Sequence, residues 1–186
     1  MPYLFSIVII ISVANVFLSP NTGIVNILIE KLGGQQILFF GDDKYVLPIY
    51  IITDIWQNMG YNAIIYIAAL AGIDQEQLEA AKIDGASRFK IIRHIELPAI
   101  KNTIVIMLIL GWGRMFSLGA DKMLLLQTDL NLNASEIIST YVYKVGLVQG
   151  QFGFSTAVEL FNTAVNIVCL LIVNKLASKI GDSTLF

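Results

Sequence analysis

Four apolar stretches govern what this chain can fold into: residues 3–18, about 45–73, about 99–118 and about 152–174. The first carries no charge, and the second is interrupted only by Asp54. The third has Lys101 near its start and Arg114 inside, and the fourth holds only Glu159. A helix needs about 20 residues, at about 1.5 Å each, to cross a hydrocarbon core of about 30 Å. The last three stretches meet that length, and the first falls slightly short.

Composition points the same way. Of 186 residues 56% are hydrophobic and 14% charged, against about 25% charged in an ordinary soluble domain. So few charges cannot furnish a water-exposed surface, which excludes a soluble enzyme and a disordered chain. A nucleic-acid partner is excluded too, because no basic stripe exists to bind one. The net charge of −2 names no partner. One cysteine, Cys169, and one histidine, His94, supply neither a disulfide framework nor a metal site. The class is an integral membrane protein. Stretch 3–18 lacks the basic start and small-residue cleavage site of a signal peptide, and reads as a short or truncated transmembrane helix.

Lysine and arginine set the expected orientation. The connection 74–101 holds Lys82, Arg88, Lys90, Arg93 and Lys101, and the tail adds Lys175 and Lys179. The connections 19–44 and 119–151 share only Lys31, Lys44, Lys122 and Lys144. The positive-inside rule places 74–101 and the C-terminus in the cytoplasm, and the other two connections outside. Within 119–151 an amphipathic helix is expected over 135–147, with Ile137, Ile138, Tyr141 and Val145 at helical spacing and Asn133 or Ser135 as cap.

The segment 74–98 is the most informative. Asp74 can cap a helix over Gln75–Ile83 whose first turns carry Glu76 and Glu79, complementing the macrodipole. Gly85 suits a left-handed turn. A second helix over 86–97 follows, with Phe89, Ile92 and Ile95 on one face, and Pro98 falls where the next span begins. Glu79-Ala80-Ala81, three residues, Gly85, nine residues, then Ile95, Leu97 and Pro98 complete a pattern of fixed residues at fixed spacing. This pattern resembles the EAA loop of the permease subunits of ABC importers. Residues 64–98 and 140–147 look like the oligosaccharide and lipo-oligosaccharide branch of that family, and 19–26 fits the same branch.

The resemblance implies an all-α, polytopic membrane helix bundle. It would hold the last four of six spans in a single permease domain over 1–186, lacking its first two. It implies that Glu79, Ala80, Ala81 and Gly85 dock on an ATPase, while Ile95, Leu97 and Pro98 pass motion to the next span. The implied partners are a second permease subunit, two cytoplasmic ATPase subunits and an external solute-binding protein, in a bacterial cytoplasmic membrane. A sugar or oligosaccharide is the implied cargo. No phosphate-binding loop of the Walker type is present, so ATP is expected to be hydrolysed in the partner, with no cofactor bound by this chain.

Ionisable groups inside a membrane are costly and therefore candidates for function. Tyr50, Asp54, Gln57, Asn58 and Tyr61 share about 100° of arc on the second span. Glu159, Asn162, Thr163 and Asn166 follow i, i+3, i+4, i+7 on the fourth. Facing stripes of this kind, with Arg114, would line a wet pathway in which carboxylates and amides bond hydroxyls and tyrosines stack on sugar rings. Alternatively these groups tie helices together, with Arg114 paired to Asp54 or Glu159. Trp56, opposite the stripe, reads as packing or lipid contact, and the glycines at 111, 113 and 146–153 as close helix packing. Two other functions remain open at this stage. One is an ion-coupled secondary carrier using Asp54, Arg114 and Glu159; the other is a membrane scaffold or assembly subunit.

Overall fold

The computed structural model describes residues 2–115 and 119–177, the side chains of 113–115 excepted. Those residues form helices and connections, with no strand among them. Helix α1 (Ile7–Leu18) follows a short turn over Pro2–Leu4 and is capped by Ser6, whose Oγ accepts from the Ile9 amide at 3.4 Å. Helix α2 spans Ile24–Lys31 and α3 spans Asp43–Ala71. Then come α4 (Gln75–Ile83), α5 (Arg88–Ile91), a π-helical segment (Ile92–Glu96), α6 (Leu97–Ala99) and α7 (Lys101–Met115). After α7 the chain forms α8 (Ala120–Leu126), α9 (Leu132–Ser135), α10 (Ile138–Tyr143), a second π-helical segment (Lys144–Val148) and α11 (Phe152–Ala177).

All four expected spans appear as helices, in unequal form. At 26 residues α11 is long and apolar enough to cross a membrane by itself, and none of its most apolar stretch is buried. At 29 residues α3 is longer but less apolar, whereas α1 has 12 residues. The third span is α7, which with the helix Arg88–Ala99 makes a pair bent by 63°. Expected span residues 116–118 lie outside the described residues, as does Lys179 of the tail. Leu160, Phe161, Ile167, Leu171 and Leu176 of α11 are all more than half exposed. A water-soluble fold would bury such a face, whereas lipid accepts it.

Two compact units emerge. One draws on residues 2–61 and 119–160, the other on 62–115 and 161–177. The first is cored by Ile11, Val46, Ile49, Met123 and Leu126, so α8 folds back on α1 and α3. Two buried asparagines tie its connections to the backbone. Asn26 donates to the Leu18, Ser19 and Ile37 carbonyls at 3.4, 3.1 and 2.9 Å and accepts from the Ile37 amide at 2.8 Å. Asn131 donates to the Phe40 and Leu126 carbonyls at 2.9 and 3.0 Å and accepts from the Thr128 amide at 2.8 Å. The second unit is cored by Val105, Ile109 and Ala177.

Two local expectations are corrected. The amphipathic helix over 135–147 breaks at Glu136–Ile137. Ser135 is buried and donates back to the Asn131 carbonyl at 2.8 Å, so it caps nothing. The start of α10 is closed instead by Thr140, whose Oγ1 accepts from the Ile137 amide at 3.0 Å and donates to its carbonyl at 2.9 Å. Pro98 sits inside the second helix, which runs over Arg88–Ala99 rather than ending at Leu97. A proline there cannot donate to the His94 carbonyl and its ring crowds that oxygen. The preceding turn is widened accordingly, with the Leu97 amide reaching five residues back to Ile92.

Candidate functional site

The loop residues first. Asp74 caps α4 by accepting from the Glu76 amide at 3.0 Å. At the other end Gly85 adopts φ +72°. The Gly85 amide bonds the Lys82 carbonyl at 3.1 Å and the Ala86 amide bonds the Ala81 carbonyl at 3.0 Å. This pair of bonds is the Schellman closure, which needs a left-handed residue and so favours glycine. The result is a short, well-terminated helix with no buried residue.

Glu79, Ala80 and Gly85 are exposed and Ala81 is half-buried. Ile83 at the helix end is 86% exposed and Phe89 is 70% exposed, so an apolar edge flanks the acidic turn. The buried residue here is Ile91, outside the expected set of Phe89, Ile92 and Ile95. Arg88 donates to Glu96 at 2.7 Å and spans the π-helical turn. Beyond it Ile95 is half-buried, while Leu97 and Pro98 are exposed. Leu97 and Lys101 border an apolar groove of about 380 Å³ lined also by Ile104, Ile109, Trp112 and Ala177.

The stripe on α3 is the second candidate. Asp54 is bound by Lys122 of α8, Nζ to Oδ1 at 3.2 Å; the expected alternative partner, Arg114, has its side chain outside the described residues. The Lys122 side chain is 2% exposed and that of Asp54 49%. The same ammonium lies 4.4 Å from the centre of the Tyr50 ring. Asn58 Nδ2 donates to the Asp54 carbonyl at 3.1 Å. Gln57 Nε2 donates to the Phe5 carbonyl at 3.3 Å, and Tyr61 stacks on Tyr3 with centroids 4.1 Å apart and planes 6° apart.

Part of the stripe thus ties elements together, as the packing alternative expects. Lys122 and Tyr3 are the residues that sequence reasoning missed as its partners. No short-range signal could have found Lys122, which is 68 positions from Asp54. Trp56 lines a separate apolar groove of about 330 Å³ with Ile10, Phe17 and Ile52, consistent with its expected apolar role. On α11, Glu159 and Thr163 are exposed, and Asn162 and Asn166 are half-buried. Among the described residues no histidine, cysteine or carboxylate cluster suits a metal ion.

The family model for the inner membrane component of binding-protein-dependent transport systems matches residues 1–181. The chain belongs to this family. Family membership assigns it to the cytoplasmic membrane and to transport components rather than enzymes. The chain is 41% identical to the protein LplB of Bacillus subtilis (strain 168) over 185 residues, covering 100% of this chain and 58% of the relative. It is 42% identical, over the same shares, to the polygalacturonan/rhamnogalacturonan transport system permease protein YteP of the same strain. The crystal structure of a bacterial alginate ABC transporter, in complex with a periplasmic protein bound to an alginate pentasaccharide, matches with TM-score 0.95 and 33% identity. That match covers 100% of this chain and 64% of the other. The all-helical permease fold is therefore common to both. The chain spans less than two thirds of the length of these relatives.

Proposed function

We propose that this chain forms part of a membrane permease subunit in an ATP-driven importer of a sugar or oligosaccharide. The observation that carries the proposal is α4, a capped helix with no buried residue, ended by the left-handed Gly85 within the EAA spacing. A helix with no fully buried residue and an exposed apolar edge is suited to burial by a partner. In this reading Glu79, Ala80, Ala81 and Gly85 dock on a cytoplasmic ATPase. Motion then passes through Ile95, Leu97 and Pro98 to α7 and switches the access of a pathway between the two sides.

The partners are a second permease subunit, two ATPase subunits and an external solute-binding protein. The connection 74–101 and the C-terminus face the cytoplasm, and 19–44 and 119–151 face outside. The similarity to permeases named for polygalacturonan, rhamnogalacturonan and alginate supports a carbohydrate cargo. Along the pathway Tyr50, Asp54, Gln57, Asn58, Tyr61, Arg114, Glu159, Asn162 and Asn166 offer the hydroxyl-bonding and stacking groups a sugar requires.

The decisive experiment is co-purification with the ATPase. Gly85→Pro removes the amide that bonds Lys82 and imposes a φ incompatible with +72°. ATPase association is expected to disappear while membrane insertion survives, and normal association would defeat the coupling assignment. For the pathway, Asp54→Ala and Glu159→Ala are each expected to lower uptake in assembled transporter, whereas unchanged uptake in both would leave the stripes as packing groups.

A further inference from the structure

The Lys122 ammonium is an unusual object. It is buried in a membrane protein, and its charge is met by one oxygen of a half-exposed carboxylate and by the face of a tyrosine. A cation in that position is expensive to desolvate and is retained where it holds other groups in place. The groups it holds are Tyr50 and Asp54, one helical turn apart on α3 and both members of the polar stripe. Asn58, the next residue on that face, hangs from the Asp54 carbonyl. One hidden charge therefore sets the direction of an aromatic ring and of a carboxylate. It engages Oδ1 of a carboxylate that is still 49% exposed and so open to a hydroxyl from outside. Met123 and Leu126 anchor α8 in the core beside it, so the ammonium is delivered from a fixed backbone.

We propose that Lys122 is a positioning residue for cargo. It keeps Asp54 oriented as a hydroxyl acceptor and backs Tyr50 as a stacking face, without touching the sugar. This inference rests on the sugar-importer reading above.

The test is ATP-dependent uptake by the complete transporter in proteoliposomes, with tritiated maltotriose, xylotriose and trigalacturonate as probes. Lys122→Met is expected to raise KM for the transported probe by roughly tenfold, the loss of one charge-assisted bond, with a smaller change in maximal rate. Lys122→Arg should restore most of that loss. The double variant Lys122→Met with Asp54→Asn carries no buried charge. It should assemble normally and show a raised KM close to that of Asp54→Asn alone, because Lys122 acts through Asp54.

An unchanged KM in normally assembled Lys122→Met, or in the double variant if the single one does not assemble, overturns the proposal. So do additive effects, and so does failure of both variants to assemble, which makes the pair purely structural. Absence of uptake of every probe by the wild-type transporter defeats the sugar-importer reading itself, and this inference falls with it.

Discussion

The segment 74–99 and the connection 119–151 both join longer helices of the same chain, yet they are built on opposite principles. In the first, order comes from closures local in sequence: a side-chain cap at Asp74, a Schellman closure at Gly85 and a widened turn before Pro98, with no residue of α4 fully buried. In the second, order comes from buried side chains: Lys122, Asn131, Ser135 and Thr140 are each within 1% of full burial. Asn131 alone joins α8, α9 and the segment before α3. A helix shaped by its own backbone keeps its outer surface available to something else. A connection held by inward polar groups has committed those groups to its own fold.

The contrast can be broken by substitution. The largest stability change is expected for Asn131→Ala. It strands the Thr128 amide and removes donors from the Phe40 and Leu126 carbonyls, a loss on the order of 3 kcal/mol. Thermal unfolding in detergent and proteolysis of 119–151 would register it, and a wild-type melting curve would show that the polar web is dispensable. Next comes Gly85→Ala, which meets no neighbouring atom and so should cost only the left-handed strain of about 1 kcal/mol. Hydrogen exchange at the Ala86 amide should quicken while the global melt stays put; a fall in the melt would mean that α4 is wired into the core after all. The smallest effect belongs to Arg88→Gln. Its ion pair is 72% exposed on the arginine side and should contribute below about 1 kcal/mol, visible only as faster exchange near Glu96.

The same contrast decides what could be read from the residues. Asp74, the acidic first turns, Gly85 and the limits of α4 were all legible, because caps and left-handed closures are written within a few positions of where they act. The spans were legible from apolar runs, to within a few residues at most ends. The helix α2 inside 19–44 went unnoticed, since its eight residues resemble any short apolar run. The break at Glu136 was hidden because Ser135 turned inward to Asn131 rather than forward to cap. Lys122 went unnoticed as a partner of Asp54 for a physical reason. Arg114 belongs to an apolar span where a counter-ion is expected, whereas Lys122 stood in a polar connection and looked solvated. Only the fold-back of α8 brings its ammonium to α3.

The widened turn over Ile92–Glu96 has a consequence for the spacing that opened the functional reading. A ring closed five residues back takes up one residue more than an α-helical ring. The nine positions between Gly85 and Ile95 thus include one that advances the chain without turning it by the usual amount. Deleting a single residue there would let the turn close as ordinary α-helix and keep the face of whatever follows, whereas the same deletion in the α-helical part would rotate it by about 100° relative to α4. The interval between the two halves of the motif acts as a phase setting, fixing which side of α7 answers when α4 is displaced.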